Sequence, residues 1–187
     1  MFENNEAYKK TLEKYVPKFP LNPRILNLGC GVCYEGTEIV NHFKGTMLGL
    51  DDKEYIINSA KTNNNGSTEF KVINCRDLSS LTESFDIVIQ RHPLVSGTWQ
   101  EVFKQGYNVT KEKGLLFATL FNLNEMLYSK KTLPKIGYKI LTCEQNPYAT
   151  VCGNGLFKIG TDGFVIVAKK EIKKKTLIEK LKEKIRK

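Results

Sequence analysis

Five short apolar runs, separated by stretches of helical periodicity, constrain this chain more than any other feature. Residues 24–28 (RILNL), 46–50 (TMLGL), 70–74 (FKVIN), 85–90 (FDIVIQ) and 114–121 (GLLFATLF) are continuously apolar or β-branched rather than alternating. A strand that needs no alternation is buried on both faces, as in a parallel sheet covered by helices on each side. Helical spacing falls around them, over 5–16 (ending at Pro17), 35–43, 53–63 and about 98–109. The last two strand-like runs, 137–142 and 164–168, have only a Gly/Asn-rich connection between them, too little for a crossover helix. They read as an antiparallel pair.

A chain of 187 residues has room for one such domain. The division expected is a leading helix and proline-rich lead-in over 1–23, an α/β domain over 24–170, and a basic tail over 171–187. Of the net charge of +9, residues 169–187 carry +7, so the body is nearly neutral and shows no nucleic-acid surface. No run approaches the roughly 18 apolar residues of a membrane span. The N-terminus (MFENNE) is acidic where a secretory signal is basic, and five cysteines form no disulfide framework. These features point to a reduced, cytoplasmic protein.

Chemistry concentrates at the ends of the strands. Asn27-Leu28-Gly29-Cys30-Gly31-Val32-Cys33 follows the first strand and opens a helix. Glycines there let the backbone turn sharply and approach a ligand that a Cβ would repel. A dinucleotide fingerprint needs a third glycine where this chain has Tyr34, which disfavours a nicotinamide oxidoreductase. Asp51 and Asp52 end the second strand, and a carboxylate there can accept hydrogen bonds from both hydroxyls of a ribose. Asp77 follows the third strand, within reach of an adenine amino group, and Gln90 ends the fourth. Consecutive strand ends thus aim polar groups into the crevice where open α/β sheets bind ligands.

With those residues the chain resembles the class I S-adenosylmethionine-dependent methyltransferases, from about Arg24 to Lys170. The family's loop usually reads acidic-x-Gly-x-Gly-x-Gly; this chain keeps Gly29 and Gly31 but has Asn27 for the acid and Cys33 for the third glycine. The resemblance implies a Rossmann-like three-layer sandwich. Its seven-stranded sheet is mostly parallel, in the order 3-2-1-4-5-7-6, with an antiparallel last strand. It also implies S-adenosyl-L-methionine as cofactor. Asn27, Gly29, Cys30 and Gly31 would then meet the methionine end, Asp51 with Asp52 the ribose, Asp77 with Leu78 the adenine, and Gln90 the surroundings of the sulfur.

Methyl transfer from a sulfonium is an in-line displacement in which alignment matters most. A base is needed only where the acceptor must lose a proton. The place to seek one is Gln90-Arg91-His92-Pro93, where His92 either serves as that base, touches substrate, or lines the rim. Arg91 binds an acidic substrate or the cofactor carboxylate, or is a surface charge. Tyr8 and Tyr15 at helical spacing are packing residues before they are a lid. Cys30-x-x-Cys33 has no second ligand pair, so no metal is expected. The tail places Leu177, Ile178, Leu181 and Ile185 on one helical face among lysines. Such a helix can meet RNA or an anionic membrane, but more often docks on its own domain. The acceptor expected is a small molecule, from a pocket built by 1–23, 91–98, 122–135 and 145–162. The alternative is a binding module that keeps the cofactor crevice without turnover. Nothing in the pattern specifies an oligomer.

Overall fold

A computed structural model describes residues 5–16, 22–91, 99–152 and 159–171. After α1 (Asn5–Tyr15) the chain alternates β1 (Arg24–Leu28), α2 (Gly36–Phe43), β2 (Thr46–Asp51), α3 (Glu54–Asn63) and β3 (Thr68–Val72). It then runs through β4 (Phe85–Arg91), α4 (Trp99–Val109), β5 (Thr110–Leu120), α5 (Leu123–Ile136) and β6 (Tyr138–Gln145). A small hairpin, β7 (Thr150–Cys152) with β8 (Ile159–Thr161), precedes β9 (Phe164–Lys170).

The main sheet has the order β3-β2-β1-β4-β5-β9-β6. Counting only its seven strands, that is 3-2-1-4-5-7-6. Neighbours from β3 to β5 are parallel, and β9 is antiparallel to both β5 and β6. The Rossmann-like three-layer sandwich is thus present, with its last strand reversed. Winding runs outward from β1 to β3 and resumes on the other side of β1 with β4. The carboxyl ends of β1 and β4 therefore diverge into a crevice, the usual ligand position of open α/β sheets.

The core explains the continuous apolar runs. Successive residues of a strand point to opposite faces, and here both faces are dry. Ile25, Ile87, Ile89 and Phe117 pack on one side with Leu12 of α1, Ile39 of α2 and Ile57 of α3. Leu26, Val88, Leu116 and Ala118 pack on the other with Phe103 of α4 and Leu133 of α5.

Several elements differ from the sequence expectation, among them β6, which runs to Gln145, and the β7–β8 hairpin; three differ for a visible physical reason. The edge strand β3 starts two residues early, because only Phe70 of its five residues is buried and hydropathy marks it weakly. β5 begins at Thr110 rather than 114, across an irregularity between the Phe85–Thr110 and Ile87–Leu115 pairs. The stretch 122–135, expected to be pocket-forming, is helix α5. Its polar Ser129 and Thr132 are buried while Leu123 and Leu127 face out, which hides the amphipathic period. Its caps were in view: the Asn122 side chain accepts from the Glu125 amide, and Gly137 ends it at φ 119°.

Gly49 in β2 shows how tightly β2, β3 and the loop after β1 are fitted. A Cβ there would lie 2.6 Å from a Phe70 ring carbon and 3.1 Å from the Cys30 sulfur. Gly49→Ala is expected to cost about 1–3 kcal/mol by overpacking, read as a lower urea midpoint, and the added change Phe70→Leu is expected to restore part of it.

Candidate cofactor site

The glycine loop, which leads from β1 into α2, is held by the end of the neighbouring strand β2. Gly29 and Gly31 take φ of 67° and 56°, a region that L side chains rarely occupy, and a Cβ on either would meet nothing within 4 Å. Their backbones thus border open space at the mouth of the crevice. The Cys30 amide donates to the Leu50 carbonyl at 2.8 Å, and the Gly31 amide donates to Asp51 Oδ2 at 3.2 Å. Asp51 Oδ1 accepts from the Lys53 amide, also at 3.2 Å. The carboxylate is half-buried, and each of its oxygens has a lone pair beyond these two bonds.

Cys33 closes the loop with φ 47°, the conformation of a glycine carried by a residue with a Cβ. Its sulfur receives the Asn27 amide hydrogen at 3.5 Å, and both side chains are buried. Contact with the Cys30 thiol, with burial second, pushes the Cys33 thiol well above its ordinary range. Two residues that sequence reading missed hold the loop from α3. Asn63 Nδ2 donates to the Val32 carbonyl at 2.9 Å, and Asn64 Nδ2 to the Cys33 carbonyl at 2.6 Å. Asn64 Oδ1 also accepts from the Thr37 amide at 2.8 Å. Asn64 sits where a Cβ on Gly36 would be, so Gly36 is what admits it. The Asn-rich run 63–65 reads locally only as a turn.

Asp52 is exposed beside Asp51. After β3, Asp77 is fully exposed, and its carboxylate accepts from Ser79, whose hydroxyl and amide bonds pull its pKa down. Leu78 is buried, with its amide on Gln105 Oε1 at 3.3 Å. Cys75, unassigned by sequence, lies under the same loops, and burial pushes its thiol up to about 12, against the pull of the Gly29 amide.

Gln90 and Arg91 part company because adjacent strand residues face opposite ways. Gln90 is buried against α4, donating to the Val102 carbonyl at 3.3 Å, with Gly106 leaving room for it. Arg91 turns to the α1 side. Its guanidinium donates to Glu35 and to Asp162 at 2.9 Å each and lies 4.3 Å over the Tyr8 ring. Burial raises the Tyr8 phenol well above 10, so it is neutral. Glu35 and Asp162 escaped the sequence reading because each carries a local disguise. An acid entering a helix suits the helix dipole, and Asp-Gly reads as a turn. His92 lies outside the described residues.

The family model described as "Methyltransferase domain" matches residues 22–183. The chain belongs to that family. Among solved structures, it is similar to a SAM-dependent methyltransferase from Methanosarcina mazei, at 20% identity and TM-score 0.65 over 83% of this chain and 95% of that one. A methyltransferase from Pyrococcus furiosus matches at 13% and 0.66, over 91% and 84%. A TehB-like SAM-dependent methyltransferase from Corynebacterium glutamicum matches at 13% and 0.63, over 89% and 88%. These likenesses are of fold. No curated protein matches the chain.

This methyltransferase domain is of class I, and its cofactor is S-adenosylmethionine. The residues present suit that group. The loop offers glycine backbone to open space, and a carboxylate with acceptor capacity stands at the end of β2. The departures at Asn27 and Cys33 leave the loop's backbone path glycine-like.

That path has a measurable cost at Cys33. Glycine at 33 is expected to be more stable than alanine by about 1 kcal/mol, since both lose the thiol and only alanine keeps a Cβ at positive φ. Denaturant midpoints of Cys33→Gly and Cys33→Ala compare them directly.

Proposed function

We propose that this domain transfers a methyl group from S-adenosylmethionine, by in-line displacement, to a small-molecule acceptor in the cytoplasm. The observation that carries the reading is the Asp51 carboxylate, which holds the Gly31 amide while keeping acceptor capacity at the mouth of the crevice. Among the described residues no helix is long and apolar enough to cross a membrane. No insertion between the strands is long enough to build a separate substrate domain, which favours a small acceptor.

When bound, the cofactor supplies a methyl carbon already activated by its sulfonium. The chain's own task is alignment and exclusion of water, and orientation alone can contribute roughly 7–11 kcal/mol to such a reaction. Asp51 accepts from the sugar diol, with Asp52 beside it. Asn27, Gly29, Cys30 and Gly31 shape the loop around the methionine end, Asp77 and Leu78 border the base, and Gln90 braces the floor from the α4 side. Arg91, held between Glu35 and Asp162, and His92 after it stand on the acceptor side. His92 acts as base where the acceptor must lose a proton. Residues 1–23 form the lid, a role supported by α1 stacking Tyr8 on Arg91. The tail 171–187 gives a less favoured reading, an RNA or protein methyltransferase or a membrane-bound one.

The departures at Asn27 and Cys33 favour one alternative, a module that binds the cofactor without turnover. Calorimetry with S-adenosylhomocysteine and with NAD comes first, and binding of NAD alone would overturn both readings. Asp51→Ala is expected to weaken S-adenosylhomocysteine by at least about 100-fold, from two lost charge-assisted bonds of roughly 1.5–3 kcal/mol each. Labelled methyl transfer to metabolite pools, with Asp51→Ala as control, then separates enzyme from module. Incorporation above that control supports the enzyme; silence across acceptor classes supports the module.

A further inference from the structure

The two edges of the main sheet are finished differently. At one edge, the register of β6 with β9 shifts between Ile140 and Thr142, and the end of β6 is held by α1 through the Tyr15 hydroxyl on Glu144. Irregularities and covering elements are ordinary ways to keep an edge from pairing with another chain. The opposite edge, β3, has neither. It pairs with β2 over five residues without a shift, contains no proline, and has no described strand on its outer side.

Two hydrogen bonds fix which way its backbone groups point. The Met47 amide donates to the Ser67 carbonyl at 3.0 Å, and the Ile73 amide donates to the Asp51 carbonyl at 2.9 Å. Ser67 and Ile73 therefore face β2. Backbone groups of successive strand residues turn to alternate sides, so Glu69 and Lys71 face β2 as well. The amides and carbonyls of Thr68, Phe70 and Val72 point outward. The Phe70 ring packs on the α3 side of the sheet with Ile57 and Ala60, so the Glu69 and Lys71 side chains project from the other face. Both are exposed, and they form an ion pair at 3.0 Å.

We propose that this edge pairs with the same edge of a second copy of the chain, forming an antiparallel dimer with Phe70 on the two-fold axis. Charge complementarity chooses both the occupant and the register. Outward-facing residues must lie opposite one another to exchange hydrogen bonds. Centring on Phe70 does this for Phe70 with its own counterpart and for Thr68 with Val72 of the second copy. It also sets Glu69 opposite Lys71 of the second copy, and the reverse, at the non-hydrogen-bonded positions where side chains come closest. Each charge then has an opposite charge along its own strand and another across the interface. Centring on residue 69 or 71 would oppose glutamate to glutamate or lysine to lysine, which is destabilising. Val72, 49% exposed in the single chain, gains a β-branched neighbour. The contact uses one patch on both copies and closes on itself. A five-residue edge is small beside the roughly 800 Å² per partner of a standard interface, so the dimer is a weak, reversible one. Its strands run oppositely, which points the two cofactor edges away from each other and leaves both open. The inference does not rest on the methyltransferase reading.

Sedimentation equilibrium of the full chain over a wide concentration series tests it. A monomer–dimer equilibrium is expected. Glu69→Lys and Lys71→Glu, each of which opposes like charges at both crossings, are each expected to weaken it by about 10-fold or more. An equimolar mixture of the two variants restores opposite charges across the interface and is expected to dimerise again. So is the single chain that carries both changes. Both positions are exposed, so the variants fold, which circular dichroism checks, and the rescue arms separate lost pairing from lost folding. A chain that stays monomeric at every concentration overturns the proposal. So does a dimer that neither single change weakens, or one that the mixture and the double change both fail to restore.

Discussion

The hydrogen bond from the Gly31 amide to Asp51 is the constraint on which the cofactor end depends. It joins the loop after β1 to the end of β2, two points twenty residues apart, through one carboxylate oxygen. The other oxygen turns the chain into α3 through the Lys53 amide. One side chain thus sets the loop's height above the sheet, the entry of the next helix and the place where a diol can be held. The loop cannot drift without moving the group that would grip the sugar. Asn64, reaching back from the end of α3 to Cys33 and Thr37, closes the same frame from the other side.

Arg91 does for the end of β4 what Asp51 does for the end of β2, with charge in place of backbone amides. It ties the end of β4 to the entrance of α2 through Glu35 and to the turn before β9 through Asp162, and it lies over Tyr8 of α1. Asp162 itself sits at φ 55°, a conformation that aspartate tolerates better than most residues. Buried ion pairs bring little net stability, because desolvation offsets most of their attraction. Removing one member leaves the others uncompensated, however, so such a cluster defines geometry even where it adds little free energy. Four segments far apart in sequence are thereby given one mutual arrangement beside the crevice.

Most of the sheet was legible because its signal is local. A doubly buried strand announces itself by unbroken hydropathy, so β1, β2 and β4 were placed within a residue of their ends. The carboxylates at the strand ends were found because strand and loop together fix where their Cα atoms lie. What stayed hidden depends on partners distant in sequence. Glu35 and Asp162 lie 56 and 71 residues from Arg91, and no periodicity links them. Gln90 and Arg91 look alike as polar residues at a strand end, yet strand alternation sends one to α4 and the other to α1. Helix α5 was missed for a different reason: Ser129 and Thr132 share its buried face with Leu133 while Leu123 and Leu127 face out, which blurs its period.

That last failure carries information. Sequence patterns are read on the assumption that apolar residues go inside, so the places where the assumption fails are places where something other than folding chose the residue. In this chain the donor side obeys the rules: its glycines, asparagines and carboxylate each satisfy the backbone around them. The departure described lies in α5, where Ser129 and Thr132 share the buried face with Leu133 while Leu123 and Leu127 are exposed. A fold that binds one cofactor but accepts different substrates keeps one part of its sheet edge constant and varies the rest. The donor geometry is common to every reaction it can perform, and only the surface facing the acceptor needs to differ.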